Sequence, residues 1–334
     1  MNKNEKVWIR IVGIALILLA LALVAYTYSR MAKLRALKAE SGQTEIRADA
    51  AALIGESFVS NGVRYTRKHM VESYLIMGID RTEEQMDYGI GGQSDVLLLL
   101  VLDGKDSSFK VLQINRDTIT LVTLISREGN ITDSEFLPIC VAHSYGSGGE
   151  DSCENTVRAV QYLLSDVPID GYLALDLNSI ETINNAVGGV TVTIQEDLTA
   201  ADPAFVKGAK VHLDDSNVEK FVRSRMILGE DNNWNRMMRQ RQYLSGWLEK
   251  AQSMAAKNPS FLLDLLESLR SVSVSNLTDN RLSGIANSAQ KYENQGFFTF
   301  EGEYVENGFS EFYPDDESIR NVILDLFYTT ETVD

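Results

Sequence analysis

Two kinds of apolar run alternate with polar segments along the chain. The first is long. No charged residue interrupts Ile11 to Tyr28, most positions are Ile, Leu, Val or Ala, and Arg10 and Arg30 bound the run. With Val7 and Trp8 it reaches roughly 20 residues, the length that spans the hydrocarbon of a bilayer. Trp8, Tyr26 and Tyr28 stand where interfacial aromatics belong. A cleaved signal peptide has a shorter apolar part and ends in small residues, whereas Tyr26-Thr27-Tyr28-Ser29-Arg30 follows here. The pattern predicts an N-terminal segment (1–10), an uncleaved transmembrane anchor (8–29) and a stalk (30–70) that begins as a helix over Met31 to Glu40. Lys3, Lys6 and Arg10 precede the span and Arg30, Lys33, Arg35 and Lys38 follow it, so the positive-inside rule does not orient it.

The later runs are short. Ser73 to Ile79, Val96 to Leu102 and Phe109 to Ile114 read as strands; the middle one, continuously apolar, is the pattern of a strand covered on both faces. Helical spacing over Glu154 to Leu164 precedes a strand at Tyr172 to Leu177. Ser179 to Val187 reads as a helix closed by Gly188-Gly189, and Val190 to Ile194 as a strand. Helices are predicted over 216–225, 234–256, 260–270 and 278–290, a strand pair over Phe297 to Val305, and a last helix over Glu317 to Tyr328. Apolar strands alternating with helices predict a three-layer α/β/α domain with a central mixed sheet. The core of that domain is expected over 71–256, with 257–334 as a helical and strand extension packed on it.

Charge removes one class of function. The formal net charge is -16, and nucleic-acid binding rests on neutralising phosphates with Lys and Arg. Against that background Glu219 to Arg241 carries six basic residues (Lys220, Arg223, Arg225, Arg236, Arg239, Arg241) and three acids, a net +3. Arginine suits bidentate recognition of phosphate, and the helix opened by Arg236 and Arg239 adds a favourable dipole. A solvated helix face is the competing reading. Acids stand at strand ends: Asp80 after the first strand, Asp95 before the second, Arg116-Asp117 after the third. As single residues these are ordinary caps and turn formers. If the first two strands are antiparallel neighbours, Asp80 and Asp95 meet at one sheet edge and repel unless a cation lies between them. Mg²⁺ accepts one or two carboxylates together with phosphate oxygens. No phosphate-binding glycine loop or Ser-His-Asp order is readable, and His143 reads as structural. Cys140 and Cys153 form a disulfide outside the cell or stay thiols inside it; both readings stand at this point.

The ordered pieces Leu75-Ile76-Met77-Gly78-Ile79-Asp80, Gln93-Ser94-Asp95, Ile114-Asn115-Arg116-Asp117-Thr118, Asp170-Gly171-Tyr172, Val187-Gly188-Gly189-Val190, Phe221-Val222-Arg223-Ser224-Arg225 and Asn235-Arg236-Met237-Met238-Arg239-Gln240 resemble the LytR-CpsA-Psr family of cell-envelope proteins, from about Tyr74 to Ala251. The resemblance implies Mg²⁺-dependent transfer of a glycopolymer from a polyprenyl-pyrophosphate carrier to peptidoglycan. It implies metal-binding carboxylates at Asp80 and Asp95, and pyrophosphate-binding arginines at Arg116, Arg223, Arg225, Arg236 and Arg239. Catalytic roles fall to Arg116, Asp117 and Arg236. It also implies a single-pass membrane protein with a cytoplasmic N-terminus and an exterior catalytic domain, a Cys140–Cys153 disulfide, and an apolar tunnel for the lipid. Two departures stand out. Asn115 replaces the usual Pro before Arg-Asp, and Asn232-Asn233-Trp234-Asn235-Arg236 replaces the usual Gly-Asp-Phe-Gly-Arg. A non-catalytic regulator of envelope assembly and a lipid pyrophosphatase are the alternatives.

Overall fold

The computed structural model describes residues 57–81, 91–126, 129–224, 233–306 and 310–333. In chain order the elements begin with strands β1 (Ser57–Ser60), β2 (Val63–Arg67), β3 (Val71–Asp80), β4 (Gln93–Asp103), β5 (Ser108–Ile114), β6 (Ile119–Ile125) and β7 (Ile131–Pro138). A 3₁₀ segment (Ile139–Ser144) leads to α1 (Glu150–Leu163), β8 (Gly171–Asp176), α2 (Ile180–Ala186), β9 (Val190–Thr193), β10 (Lys210–Leu213) and α3 (Val218–Arg223). Then come α4 (Asn233–Lys257), α5 (Phe261–Leu269), β11 (Ser273–Ser275), α6 (Asp279–Lys291), β12 (Glu293–Phe298), β13 (Gly302–Glu306), β14 (Ser310–Pro314), α7 (Asp316–Phe327) and β15 (Tyr328–Thr332).

The centre is a six-stranded mixed sheet in the order β11-β8-β3-β4-β5-β12. β3 and β5 run antiparallel to β4, whereas β8 is parallel to β3 and β12 to β5. Both faces are covered, which explains why β4 reads as an unbroken apolar run. One face carries Leu75, Met77, Leu97, Leu99 and Leu112, all buried, under the 3₁₀ segment and α1. The other carries Tyr74, Leu98, Leu102, Phe109 and Val111, with Leu244 and Leu248 of α4 and Ile285 of α6 packed against them. Burying one such side chain stabilises by about 1.5–3 kcal/mol. A second core, with Val190, Val192, Phe205, Leu213, Phe221 and Tyr243 buried together, joins β9, β10, α3 and α4 and so sets where Arg223 and Arg236 stand. The two outermost strands, β11 and β12, come from beyond residue 257.

Two expectations are corrected. Among the described residues no helix is long and apolar enough to cross a membrane. The longest, α4, carries Arg236, Arg239, Arg241, Glu249 and Lys250, charges that a bilayer core does not accommodate. The anchor expected over 8–29 lies outside the described residues, and the single-pass topology that rested on it is not retained. The Cys140–Cys153 disulfide is absent as well: both are free, buried thiols. The two sulfurs have different surroundings. Cys140 lies beside Arg116, and burial pushes its thiol up to about 11 despite that positive neighbour. Cys153 lies 3.7 Å from His143 Nε2, and burial pushes it up to about 12. His143 itself is buried, bonded through Nδ1 to Gly92 O at 3.0 Å, and burial pulls it down to about 4. It is a neutral packing element rather than an acid–base group.

Candidate active site

The register of the β3–β4 ladder brings the first two acids together. Asp80 stands opposite Gln93 and Ile79 opposite Ser94, but Gly78 is already opposite Val96, so Asp95 is the extra residue of a β-bulge. A bulge re-aims the side chain it carries. Close approach is enforced by Gly92, where a Cβ would lie 2.3 Å from Asp80 O.

Three arginines converge on this edge. Arg116, just past the end of β5, donates through Nη1 to Asp95 Oδ1 and through Nη2 to Gln93 Oε1, and its Nε lies 3.3 Å from Asp117 Oδ1. Arg236, in the first turn of α4, donates through Nη1 to Asp95 Oδ2 at 3.3 Å. Arg223, the last residue of α3, donates through Nη2 to both oxygens of Asp80 at 2.9 Å and through Nη1 to Glu219 at 2.7 Å. The side chains of Arg116, Arg236 and Asp95 are only 12%, 8% and 9% exposed, so these charges act with little solvent screening. Arg116 is held firmly protonated: burial works against its charge, and the neighbouring Cys140 sulfur and the carboxylates of Asp95 and Asp117 outweigh it.

The cluster separates two cavities. One, of about 360 Å³, lies between the sheet and α4, α5 and α6. Its wall is Ile76, Leu98, Leu100, Phe109, Leu244, Leu265 and Ile285 among other apolar residues, and Asp95, Arg223 and Arg236 stand at one end. The other, of about 670 Å³, is more polar than the first: Gln93, Arg116, Asp117, Ser144, Tyr145, Asn233, Arg236 and Glu311 line it together with Leu137, Pro138, Cys140 and Val141. Arg236 borders both. An amphiphile with an anionic joint between an apolar tail and a polar head matches this sequence of surfaces.

Not every expected residue stands here. Arg225 lies outside the described residues. Arg239 is turned away: its guanidinium is paired with Glu196, donates from Nε to Phe221 O at 3.2 Å and from Nη2 to Ser224 O. It ties α4 to the end of α3 and borders neither cavity. Arg239→Ala is expected to destabilise the fold on the order of 3 kcal/mol, because it strips a largely buried ion pair and two carbonyl partners, and to leave ligand affinity at low temperature unchanged. A urea-midpoint shift without an affinity change checks this. Sequence reasoning also passed over Tyr304 and Glu311, counted Glu219 only among the acids of the basic segment, and used Gln93 only as part of a motif. For Gln93 the position two before Asp95 on a strand was the available signal; Tyr304 carried none.

Asp80 and Asp95 offer hard oxygen donors at one edge, a set that fits Mg²⁺ completed by phosphate oxygens. Among the described residues no group of three or more His, Cys, Asp or Glu side chains is placed to hold a metal by itself. In this structure each carboxylate has its own arginine partners, Arg223 for Asp80 and Arg116 and Arg236 for Asp95.

Comparison with known proteins follows the same lines. The model of the LytR_cpsA_psr family matches residues 32–325. The polyisoprenyl-teichoic acid–peptidoglycan teichoic acid transferase TagU of Bacillus mycoides is 31% identical over 227 residues, 67% of this chain and 66% of that protein. The chain thus spans just under two thirds of that relative's length. Protein gbs0355 of Streptococcus agalactiae superposes with a TM-score of 0.62 at 22% identity, over 77% of this chain and 86% of that one. A solved structure of TagT bound to LI-WTA superposes at 0.58 with 22% identity, over 77% and 90%.

Proposed function

Because the chain belongs to the LytR-CpsA-Psr family, we propose that it transfers a glycopolymer from a polyprenyl-pyrophosphate carrier to peptidoglycan. The observation that carries this reading is the arginine–carboxylate cluster standing between an apolar cavity and a more polar one. The relative TagU bears the name of such a transferase, and TagT has been solved with LI-WTA bound. Here the polyprenyl tail takes the apolar cavity, the pyrophosphate takes the arginines, and the saccharide takes the polar cavity.

The chemistry is a displacement at phosphorus. A hydroxyl of the acceptor attacks the phosphorus that bears the glycopolymer, the P–O bond to the bridging oxygen breaks, and polyprenyl phosphate leaves with that oxygen and its electron pair. Asp117, the carboxylate beside Arg116 in the second cavity, takes the hydroxyl proton. Such transfers depend mostly on positioning and charge neutralisation. Pyrophosphate oxygens replace Asp80 and Asp95 as partners of Arg223, Arg116 and Arg236, and the guanidinium forks hold them through the reaction. The two carboxylates so released would hold Mg²⁺, which supplies further neutralisation of the phosphate oxygens when bound.

The test is to incubate the protein with a lipid pyrophosphoryl saccharide, Mg²⁺ and peptidoglycan fragments and to follow products by mass spectrometry. The expected result is a covalent saccharide phosphate–peptidoglycan conjugate together with polyprenyl phosphate. Release of free saccharide phosphate alone would identify a pyrophosphatase, and tight binding without turnover a non-catalytic regulator.

A further inference from the structure

Arg236 is held from behind by a chain of side-chain hydrogen bonds that ends on a distant strand. Its Nε donates to Asn233 Oδ1 at 2.9 Å. Asn233 Nδ2 donates to Asn115 Oδ1 at 2.8 Å. Asn115 Nδ2 donates to Tyr304 Oη at 2.5 Å, across 189 positions of sequence. Asn115 is 2% exposed, and its Oδ1 also accepts from the Asp117 amide at 3.0 Å, which sets the turn that presents Arg116 and Asp117. The far end is itself tied down. Tyr304 packs on Phe312 with ring centroids 5.0 Å apart, and Phe312 N donates to Asp117 O at 2.8 Å.

We propose that Asn115, Asn233 and Tyr304 are positioning residues that fix the plane of the Arg236 guanidinium, so that its outer nitrogens meet the substrate pyrophosphate without a search through rotamers. The inference rests on the proposed transfer for its kinetic part only. Its physical basis is that every bond of the chain is directional. Asn115 accepts from Asn233 and donates to Tyr304 at once, which an amide does and a proline, with no side-chain polar atom, does not. Burial pushes Tyr304 up to about 12, so its hydroxyl stays neutral over the working range of pH. A rigid arginine spends less conformational entropy on binding phosphate. The chain also joins two positions at which the sequence departs from the usual family pattern, Asn115 and Asn233, and makes them one device.

The experiment combines NMR of ¹⁵N-arginine-labelled protein with steady-state kinetics. The Arg236 Nε–H resonance, assigned by its loss in Arg236→Lys, should be protected from solvent exchange in the wild type. In Tyr304→Phe, which deletes one oxygen remote from the phosphate site, that exchange should rise about tenfold while Arg239 Nε–H stays protected as a control for folding. On a lipid pyrophosphoryl saccharide the same variant should lose about tenfold in kcat with little change in KM. Asn115→Leu keeps the approximate volume and makes none of these hydrogen bonds, so it should lose at least as much as Tyr304→Phe, and adding Tyr304→Phe to it should cost nothing further. Unchanged Arg236 protection in both variants, or additive losses in the double, overturns the proposal. A wild type with no turnover but with the expected exchange pattern would sink the transferase reading and leave the positioning chain standing.

Discussion

Arg116→Ala is expected to slow turnover of a lipid pyrophosphoryl saccharide by two or more orders of magnitude. The reason lies in the burial and number of its contacts. Arg116 spreads its guanidinium over Asp95, Gln93 and Asp117, and in the proposed complex the face now held by Asp95 passes to a pyrophosphate oxygen. A charge-assisted hydrogen bond is worth about 1.5–3 kcal/mol, and each 1.4 kcal/mol is tenfold in rate. Losing two such bonds in a site this dry gives roughly a hundredfold or more. Arg116→Lys keeps the charge and loses the fork, so it should fall in between, at about ten- to a hundredfold. Arg270→Ala is the comparison: that arginine is exposed and pairs with Glu267 and Asp279, so its removal should leave the rate unchanged. Wild-type rates in Arg116→Ala would place the site elsewhere.

Asp95→Asn should cost both stability and activity, and the contrast with Asp80→Asn separates the two effects. Asp95 is the shared carboxylate of Arg116 and Arg236, all three largely buried. Without it two guanidinium groups face each other with their common counter-charge gone, and breaking such a buried network typically costs about 3–5 kcal/mol. Asp80 pairs with Arg223 in a setting where each is more than a third exposed, so Asp80→Asn should cost under about 1 kcal/mol. Turnover should collapse in both if the two carboxylates share a cation. Urea midpoints, compared at constant m-value, read the stability difference, and initial rates across a Mg²⁺ titration read the second. Equal midpoints would show that Asp95 is not the electrostatic centre of the cluster.

Most of the fold was readable because its signals are local. The apolar run of β4, the helical spacing in α1, α4 and α6, and the glycines that end α2 each lie within a short stretch of chain. The predicted strands at Ser73 to Ile79, Val96 to Leu102 and Phe109 to Ile114 lie inside β3, β4 and β5. The short pieces escaped. β1, β2 and β15 form a sheet only because a hairpin near residue 60 meets the last described strand of the chain. In the β6–β7 hairpin the first strand buries Thr120 and Val122, but the second has no buried residue to impose alternation. The Cys140–Cys153 pairing illustrates the opposite error, in which the exterior location implied by the resemblance suggested a bond that the two differently surrounded, buried thiols do not make.

For the site, the sequence by itself determined the charges: two acids at strand ends, an arginine at a third strand end, and an arginine-rich segment in an otherwise acidic chain. Those residue types suit an anion partner, but in the sequence alone a solvated helix face competes with that reading. The tertiary structure decided which of them meet. Arg236 and Arg239 lie three residues apart on α4, less than one helical turn, yet one borders both cavities while the other is consumed by Glu196 and two carbonyls. The difference arises because residues three apart sit about 60° from each other around a helix axis, and α3 stands on only one side. Likewise nothing near Asn115 in sequence announces Tyr304 or Asn233. A hydrogen bond needs its partners within about 3 Å, and only the closing of the chain onto itself sets distances of that kind.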